Sequence, residues 1–308
     1  MANNRYMYVC DDSQGAYCPT DPSSFYTTEE KPVEIYLFID PLCPECWVID
    51  PIIKKLQMEY GHYLRLKTFI GISPDKSSFQ SGRNLQNRVQ DMANSYHETA
   101  CRTGIPCEGD VWYENPLTTP YTAAMAIKAA EMQGKSIGSK YSRRIREALF
   151  LKKKNIADKN VLIDCARHID GMDIEAFEAD LASDEPKKAL ESDMQTTNDM
   201  NIDTVPSMVI LGEDPNEPGI KIKGNYSYSI YVDILEDLLG KPLEKCPLIS
   251  IEQFVSFYSV VAEKELAIIY DLSIEDVRHE LKKLQLRCLV DETKTKHGSV
   301  WRTLAPCY

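Results

Sequence analysis

The feature that most constrains the fold is a Cys-x-x-Cys motif that lies directly between a strand and a helix. Residues 33–39 (VEIYLFI) are rich in β-branched and aromatic side chains, which predicts a mostly buried strand. Cys43-Pro44-Glu45-Cys46 follows, and apolar residues then recur at three- and four-residue spacing until a stop near Gly61. A second strand at 64–72 completes a strand, helix and strand unit, in which parallel pairing is the default.

This position gives the two cysteines a possible redox chemistry. At a helix N-terminus the first thiol meets the positive end of the helix dipole, which stabilises a thiolate. We therefore expect Cys43 to attack and Cys46 to resolve, since two intervening residues let the pair close into a disulfide. Three nearby carboxylates, Glu45, Asp40 and Asp50, oppose this activation, so the site is predicted to be vestigial, regulatory or slow.

A second half of the same signature lies about 160 residues later, at Thr204-Val205-Pro206, directly before a predicted strand at 207–211. In thioredoxin-like proteins a cis-proline loop lies against the Cys-x-x-Cys pair, and the preceding residue offers backbone groups to an extended peptide. We expect a cis bond before Pro206, and Val205 and Pro206 are the predicted binding residues.

The order of elements predicts an α/β fold: a thioredoxin-like (DsbA-type) domain over residues 32–240, interrupted by a helical insertion at about 84–200. Residues 207–211 and 220–223 are strands and 230–239 a last helix. Residues 1–31 read as an irregular arm. The basic stretch formed by Arg143, Arg144, Arg146 and residues 152–154 (KKK) is interpreted as a solvated helix face.

Residues 247–308 form a separate small module. Three short helices and two β-rich pieces, at 287–291 and 300–304 around the polar segment ETKTKHG, predict a winged-helix-like fold. The module carries eight basic and nine acidic residues, and its would-be recognition helix opens with Glu275 and Asp276. Phosphate contacts need a basic face. We therefore expect this module to bind protein rather than nucleic acid.

The composition limits which classes of protein this chain can belong to. The net charge is −12, ten cysteines in 308 residues are far too few for a disulfide scaffold, and neither an export signal nor a membrane span is visible. We expect a cytoplasmic protein without membrane contact, cofactor or bound metal, whose cysteines are mostly reduced. Zinc would require two more ligands beside Cys43 and Cys46, and the best remaining candidates, Cys10 and Cys18, are weak.

The segments IYLFIDPLCPECW and NIDTVPS, the helical insertion and the C-terminal module together resemble the bacterial YjbH/SpxH family. The resemblance implies a cytoplasmic DsbA-like adaptor that binds the transcriptional regulator Spx and promotes its degradation by the protease ClpXP. Cys43 and Cys46 match the family's Cys-x-x-Cys, and Pro206 matches its cis-proline. Some members have a zinc-linked tail rich in histidine and cysteine, whereas the arm here has Cys10 and Cys18 but no histidine.

Two functions follow from these observations. The first is an adaptor, in which the Cys-x-x-Cys pair is not required because the protein works by binding. The alternative is a cytoplasmic thiol-disulfide oxidoreductase of the DsbA class, in which Cys43 forms a mixed disulfide. A third function, a winged-helix transcription factor, is disfavoured by the charge of the C-terminal module.

Overall fold

The computed structural model describes residues 31–72, 85–214 and 218–304. Cys10 and Cys18 lie outside the described residues. None of the helices in the described ranges is both long enough and apolar enough to cross a membrane.

A four-stranded sheet in the order β2-β1-β3-β4 carries the predicted redox motif. Its strands are β1 (Val33–Ile39), β2 (Leu64–Ile70), β3 (Ser207–Leu211) and β4 (Ile220–Lys223). The β1 and β2 strands run parallel, as predicted, and the other neighbours pair antiparallel. The central strand β1 is almost wholly buried, which agrees with its apolar sequence.

The helix that follows the redox motif is divided in two, α1 (Pro44–Val48) and α2 (Asp50–Tyr60). The sequence predicts one amphipathic helix in which Pro51 causes a kink or lies near the start, and the division agrees with that expectation. Pro51 lies in the first turn of α2. Because proline has no N–H, it cannot continue the hydrogen bonding of the preceding turn, and its fixed φ suits a helix start.

The insertion is helical throughout and packs into the same core as the sheet. A run of fully buried alanines in α5 lets its neighbours approach closely. The helices agree with the helical insertion that the sequence predicts at about 84–200. The helices of this half of the chain are α3 (Leu85–Thr103), α4 (Val111–Glu114), α5 (Tyr121–Met132), α6 (Lys135–Lys152), α7 (Lys159–Ala166), α8 (Ile174–Leu181), α9 (Glu185–Asp199) and α10 (Tyr228–Leu239).

The C-terminal module has its own core, built around Trp301, Phe254 and Leu281. Its elements are α11 (Ile251–Tyr258), β5 (Val260–Ala262), α12 (Glu263–Tyr270), α13 (Ile274–Leu286), β6 (Val290–Thr295) and β7 (Gly298–Thr303), with an antiparallel sheet in the order β5-β7-β6. The β5 strand was not predicted. The first strand of the hairpin was placed too early: most of ETKTKHG belongs to β6, because a strand at the sheet edge with one face in solvent can be polar.

Six buried charges join this module to the helix that follows the redox motif. Arg143 of α6 lies at the centre: its Nη2 is 3.0 Å from Glu265 Oε2 and its Nε is 2.7 Å from Glu147 Oε1. Lys54 of α2 also reaches Glu265, at 2.6 Å. We call the set the interface network; it comprises Asp50, Lys54, Arg143, Arg146, Glu147 and Glu265.

The interface network corrects the interpretation of the basic stretch as a solvated face for Arg143 and Arg146, whereas Lys152 and Lys154 are exposed as predicted. Arg143 and Arg146 are both buried, and Arg146 Nη1 lies 2.8 Å from Asp50 Oδ1. Burial is tolerated because three cations face three anions, and unpaired charges would be far more costly. Burial acts to raise the pKa values of Asp50 and Glu265, and the neighbouring cations outweigh it, so both carboxyls have pKa values below their ordinary range.

Candidate functional site

The two motif cysteines lie at the start of α1, below the end of β1. Cys43 is the residue before the first helical turn, and its carbonyl accepts hydrogen bonds from the N–H groups of Cys46 (3.1 Å) and Trp47 (3.3 Å). Both cysteines are thiols rather than halves of a disulfide, and both are buried, with relative exposures of 5% for Cys43 and 0% for Cys46. The local geometry is thus the predicted one, but little of the attacking sulfur is open to solvent.

The environment of Cys46 disfavours its thiolate. Complete burial raises the pKa of this thiol well above its ordinary value, and a hydrogen bond with Cys43 and the negative charge of Asp40 raise it further. The N–H of Asp40, which donates to Cys46 Sγ at 3.5 Å, opposes this effect. A thiol of this kind is a poor nucleophile while it is protonated, and the resolving role of Cys46 stays a prediction.

The cis-proline loop faces the cysteines, as the sequence predicted. The Val205–Pro206 peptide bond is cis. The carbonyl oxygen of Val205 lies 3.7 Å from Cys43 Sγ, within reach of a thiol donor. Pro206 is buried, and its carbonyl accepts a hydrogen bond from the N–H of Gly224 at 2.8 Å. The structure therefore brings all four predicted site residues together.

Glu45, between the cysteines, holds the motif against two distant segments. Its carboxylate accepts from Thr99 Oγ1 at 2.8 Å, from Arg102 and from Asn225 Nδ2 at 2.8 Å. Partial burial acts to raise the pKa of Glu45, but these hydrogen bonds and the charge of Arg102 keep the pKa below its ordinary value. Sequence reasoning missed these three partners, because nothing in their local sequence marks them as neighbours of the motif.

The sequence predicts that three nearby carboxylates destabilise a Cys43 thiolate, and two of the three are paired with cations. Glu45 and Asp50 are both occupied by cationic partners, Arg102 for the first and Arg146 for the second. Asp40 is buried, and its Oδ1 accepts from the N–H of Leu42 at 2.8 Å, immediately before the motif. Burial is the main cause that raises the pKa of Cys46, and the charge of Asp40 raises this pKa further.

Two further cysteines of this half of the chain lie outside the Cys-x-x-Cys motif. Cys107 is buried and Cys101 is exposed on α3, and both are free thiols. Cys101 instead lies beside two histidines, His97 and His297, whose ligand atoms all fall within 4.8 Å of one another. The described part of the chain thus has a dithiol site and, separately, one group of possible metal ligands.

Comparisons with known proteins agree with the fold and extend the sequence resemblance over nearly the entire chain. A family model described as Thioredoxin matches residues 36–233. The ClpXP adapter protein SpxH of Halalkalibacterium halodurans is 42% identical over 307 residues, covering 99% of this chain and 100% of that protein. The chain belongs to the SpxH family. Its Bacillus subtilis member, also a ClpXP adapter protein SpxH, is 40% identical over 90% of this chain and 91% of its own length.

Solved structures place the SpxH family fold among DsbA-like proteins. A Nitrosomonas europaea protein assigned to the disulfide isomerases aligns with a TM-score of 0.58 at 19% identity, covering 68% of this chain and 98% of its own. A Streptomyces coelicolor protein assigned as a DsbA oxidoreductase aligns with a TM-score of 0.50 at 14% identity, covering 71% and 94%. At these identities the likeness establishes the fold alone.

Proposed function

We propose that this protein is a cytoplasmic adaptor that binds an Spx-like transcriptional regulator and promotes its degradation by ClpXP. The observation that carries the proposal is the 42% identity to a ClpXP adapter protein over 99% of the chain, which includes both the DsbA-like part and the C-terminal module. An adaptor acts by holding two partners together, so it needs binding surfaces and no turnover site.

The charge distribution supports a docking role for the DsbA-like part. Residues 247–308 carry a net charge of only −1, so the remaining −11 lies on residues 1–246. Surfaces of opposite potential steer association and raise encounter rates. A client with a basic surface would therefore dock on the DsbA-like side of the molecule, near the cis-proline loop of Val205 and Pro206.

For residues 247–308 we propose a winged-helix-like module that contacts protein and not nucleic acid. Basic side chains of α13 face acidic partners: Arg278 lies 2.9 Å from Glu263 Oε2 and Lys282 lies 2.6 Å from Glu292 Oε2. These pairs reduce the positive potential that phosphate contacts require. Fluorescence anisotropy with duplex DNA tests this, and tight, salt-dependent binding would contradict it.

A reconstituted degradation assay tests the main proposal. Purified ClpXP, ATP and an Spx-like regulator are incubated with and without the full chain, and the amount of regulator is followed on gels. We expect the chain to shorten the regulator's half-life, with an unrelated ClpXP substrate degraded at an unchanged rate. If a saturating concentration of the chain leaves the regulator's half-life unchanged, the proposal is contradicted.

The second candidate function is thiol-disulfide exchange, which the reduced thiols beside the cis-proline loop favour. It would proceed by attack of the Cys43 thiolate on a client disulfide, displacing one client thiolate, after which Cys46 attacks Cys43 and releases the second. The double variant Cys43→Ala/Cys46→Ala separates the two functions. An adaptor retains degradation in this variant, whereas loss of degradation there but not in the exposed-cysteine control Cys288→Ala would favour the redox function.

A further inference from the structure

Three side chains that the proposed function does not use converge where the C-terminal module meets the insertion. His97 and Cys101 are four residues apart and therefore share one face of α3. His297 comes from the two-residue turn between β6 and β7, nearly 200 positions later. The rings of His97 and His297 are 5.1 Å apart between centroids, and His97 Nε2 lies 3.5 Å from Cys101 Sγ.

The donor set and its spacing match zinc chemistry. Zinc takes imidazole nitrogen at about 2.0 Å and thiolate sulfur at about 2.3 Å in a tetrahedral arrangement, which separates the two donor atoms by about 3.5 Å. The Cys101 and His97 atoms already have this separation. The three ligand atoms lie within 4.8 Å of one another, so a small side-chain rotation of the half-buried His297 completes the set.

The turn that carries His297 is held in place by contacts of its own. The backbone N–H of Lys296 donates to Glu108 Oε1 at 3.4 Å, and Lys296 Nζ lies 2.5 Å from Asp110 Oδ2. A cavity of about 150 Å³ lies between the turn and α3, lined in part by His97, Glu108 and His297. The site is thus preorganised by interactions that do not depend on a metal.

We propose that His97, Cys101 and His297 bind one zinc-like divalent ion, which links α3 to the β6–β7 turn. Binding requires that the Cys101 thiol release its proton to solvent, and the imidazoles bind in their neutral form. Three protein donors leave one tetrahedral position for water or for an atom of a partner. None of these three donors belongs to the arm at residues 1–31, in which Cys10 and Cys18 occur.

Cobalt titration of the reduced, chelator-treated full chain tests the site, because Co²⁺ replaces zinc and reports on its ligands. Wild type is expected to bind cobalt with a thiolate-to-cobalt charge-transfer band and the visible bands of tetrahedral cobalt. Cys101→Ser should abolish the charge-transfer band. His97→Ala and His297→Ala should each weaken binding about tenfold or more, as expected when a ligand of the metal is lost.

Matched variants exclude the other cysteines and histidines. Cys288→Ser and His168→Ala remove an exposed thiol and an exposed imidazole, and both should bind cobalt as wild type does. Cys10→Ser/Cys18→Ser and Cys43→Ala/Cys46→Ala should also retain the Cys101-dependent band. The proposal is overturned if the spectrum survives Cys101→Ser and His297→Ala unchanged, or if it vanishes with either of these two cysteine pairs.

Amide hydrogen exchange gives a second readout, one that does not depend on spectra. Because the ion would tie the turn to α3, zinc should slow exchange at residues 295–298 in wild type by about tenfold or more. Exchange in His97→Ala, which leaves the turn itself intact, should not respond to zinc. Equal exchange with and without zinc in wild type would show that no link forms.

Discussion

Two adjacent regions of the chain bury reactive groups in opposite ways. The redox motif at 43–46 buries two thiols, and burial raises the pKa of Cys46, which disfavours its charged form. One turn later, Asp50 and Lys54 enter the interface network, where charged side chains are buried with opposite charges as partners. The first arrangement lowers the reactivity of Cys46, while the second holds the C-terminal module against the DsbA-like part. The contrast favours a molecule that presents a rigid binding surface over one optimised for turnover.

The largest expected effect comes from breaking the interface network. Glu265→Ala removes the shared partner of Lys54 and Arg143, and leaves two cations buried without it. Removing one member of a buried ion pair typically costs about 3–5 kcal/mol, so the free energy of unfolding should fall by about that amount. Urea denaturation followed by Trp fluorescence measures it.

The control for this variant is Glu252→Ala, which breaks a surface pair with Arg287. Solvent screens such pairs, so its unfolding midpoint should stay close to that of wild type. Equal losses in the two variants would mean that the interface network contributes no more than a surface contact, and that the modules are held by apolar packing alone.

The interface network also shows where sequence reasoning stops. Three elements could be predicted because a short stretch of sequence determines each of them: the β1 strand, the helix start at the Cys-x-x-Cys motif and the Val205–Pro206 loop. Arg143 was interpreted as solvated because its partner Glu265 lies 122 positions away. A charged side chain can be buried only where a residue distant in the sequence provides the opposite charge. No local sequence pattern shows which distant residue that is. The hydrogen bonds that Asn225 and Thr99 donate to Glu45 were missed for the same reason.

The next effect concerns the thiols themselves. Iodoacetamide at pH 8 should label the exposed Cys288 at least about tenfold faster than Cys46, because only the thiolate reacts and burial raises the pKa of Cys46. Cys165 should also be slow, since burial raises its pKa to about 11. Mass spectrometry of peptides from a timed reaction gives the rates. Rapid labelling of Cys46 in the folded protein would contradict the buried resolving position.

Acid should weaken the interface network within a defined window. The folded pKa values of Asp50 and Glu265 lie below their ordinary values of 3.8 and 4.5. Their stabilisation is therefore complete above the unfolded values and is lost as the pH falls through the folded ones. The free energy of unfolding from urea titrations between pH 6 and pH 3 should fall more steeply in wild type than in Glu265→Gln, by up to about 1.4 kcal/mol per pH unit. Parallel slopes would exclude Glu265 as a source of acid sensitivity.

The smallest expected effect is at the redox motif, where Asn225→Ala removes two hydrogen bonds from Nδ2 to Glu45, at 2.8 Å and 3.1 Å. The loss of stability should be about 1 kcal/mol or less. It is limited because Asn225 Oδ1 is buried and accepts no hydrogen bond in the described part of the chain, so the variant also removes an unfavourable group. Loosening the motif should nevertheless raise the alkylation rate of Cys43 several-fold, while Cys288 in the same sample serves as the internal reference. If Cys43 reacts no faster in Asn225→Ala, the burial of Cys43 depends on apolar packing under the cis-proline loop. Packing would then hold the redox motif in place, whereas polar contacts hold the interface network.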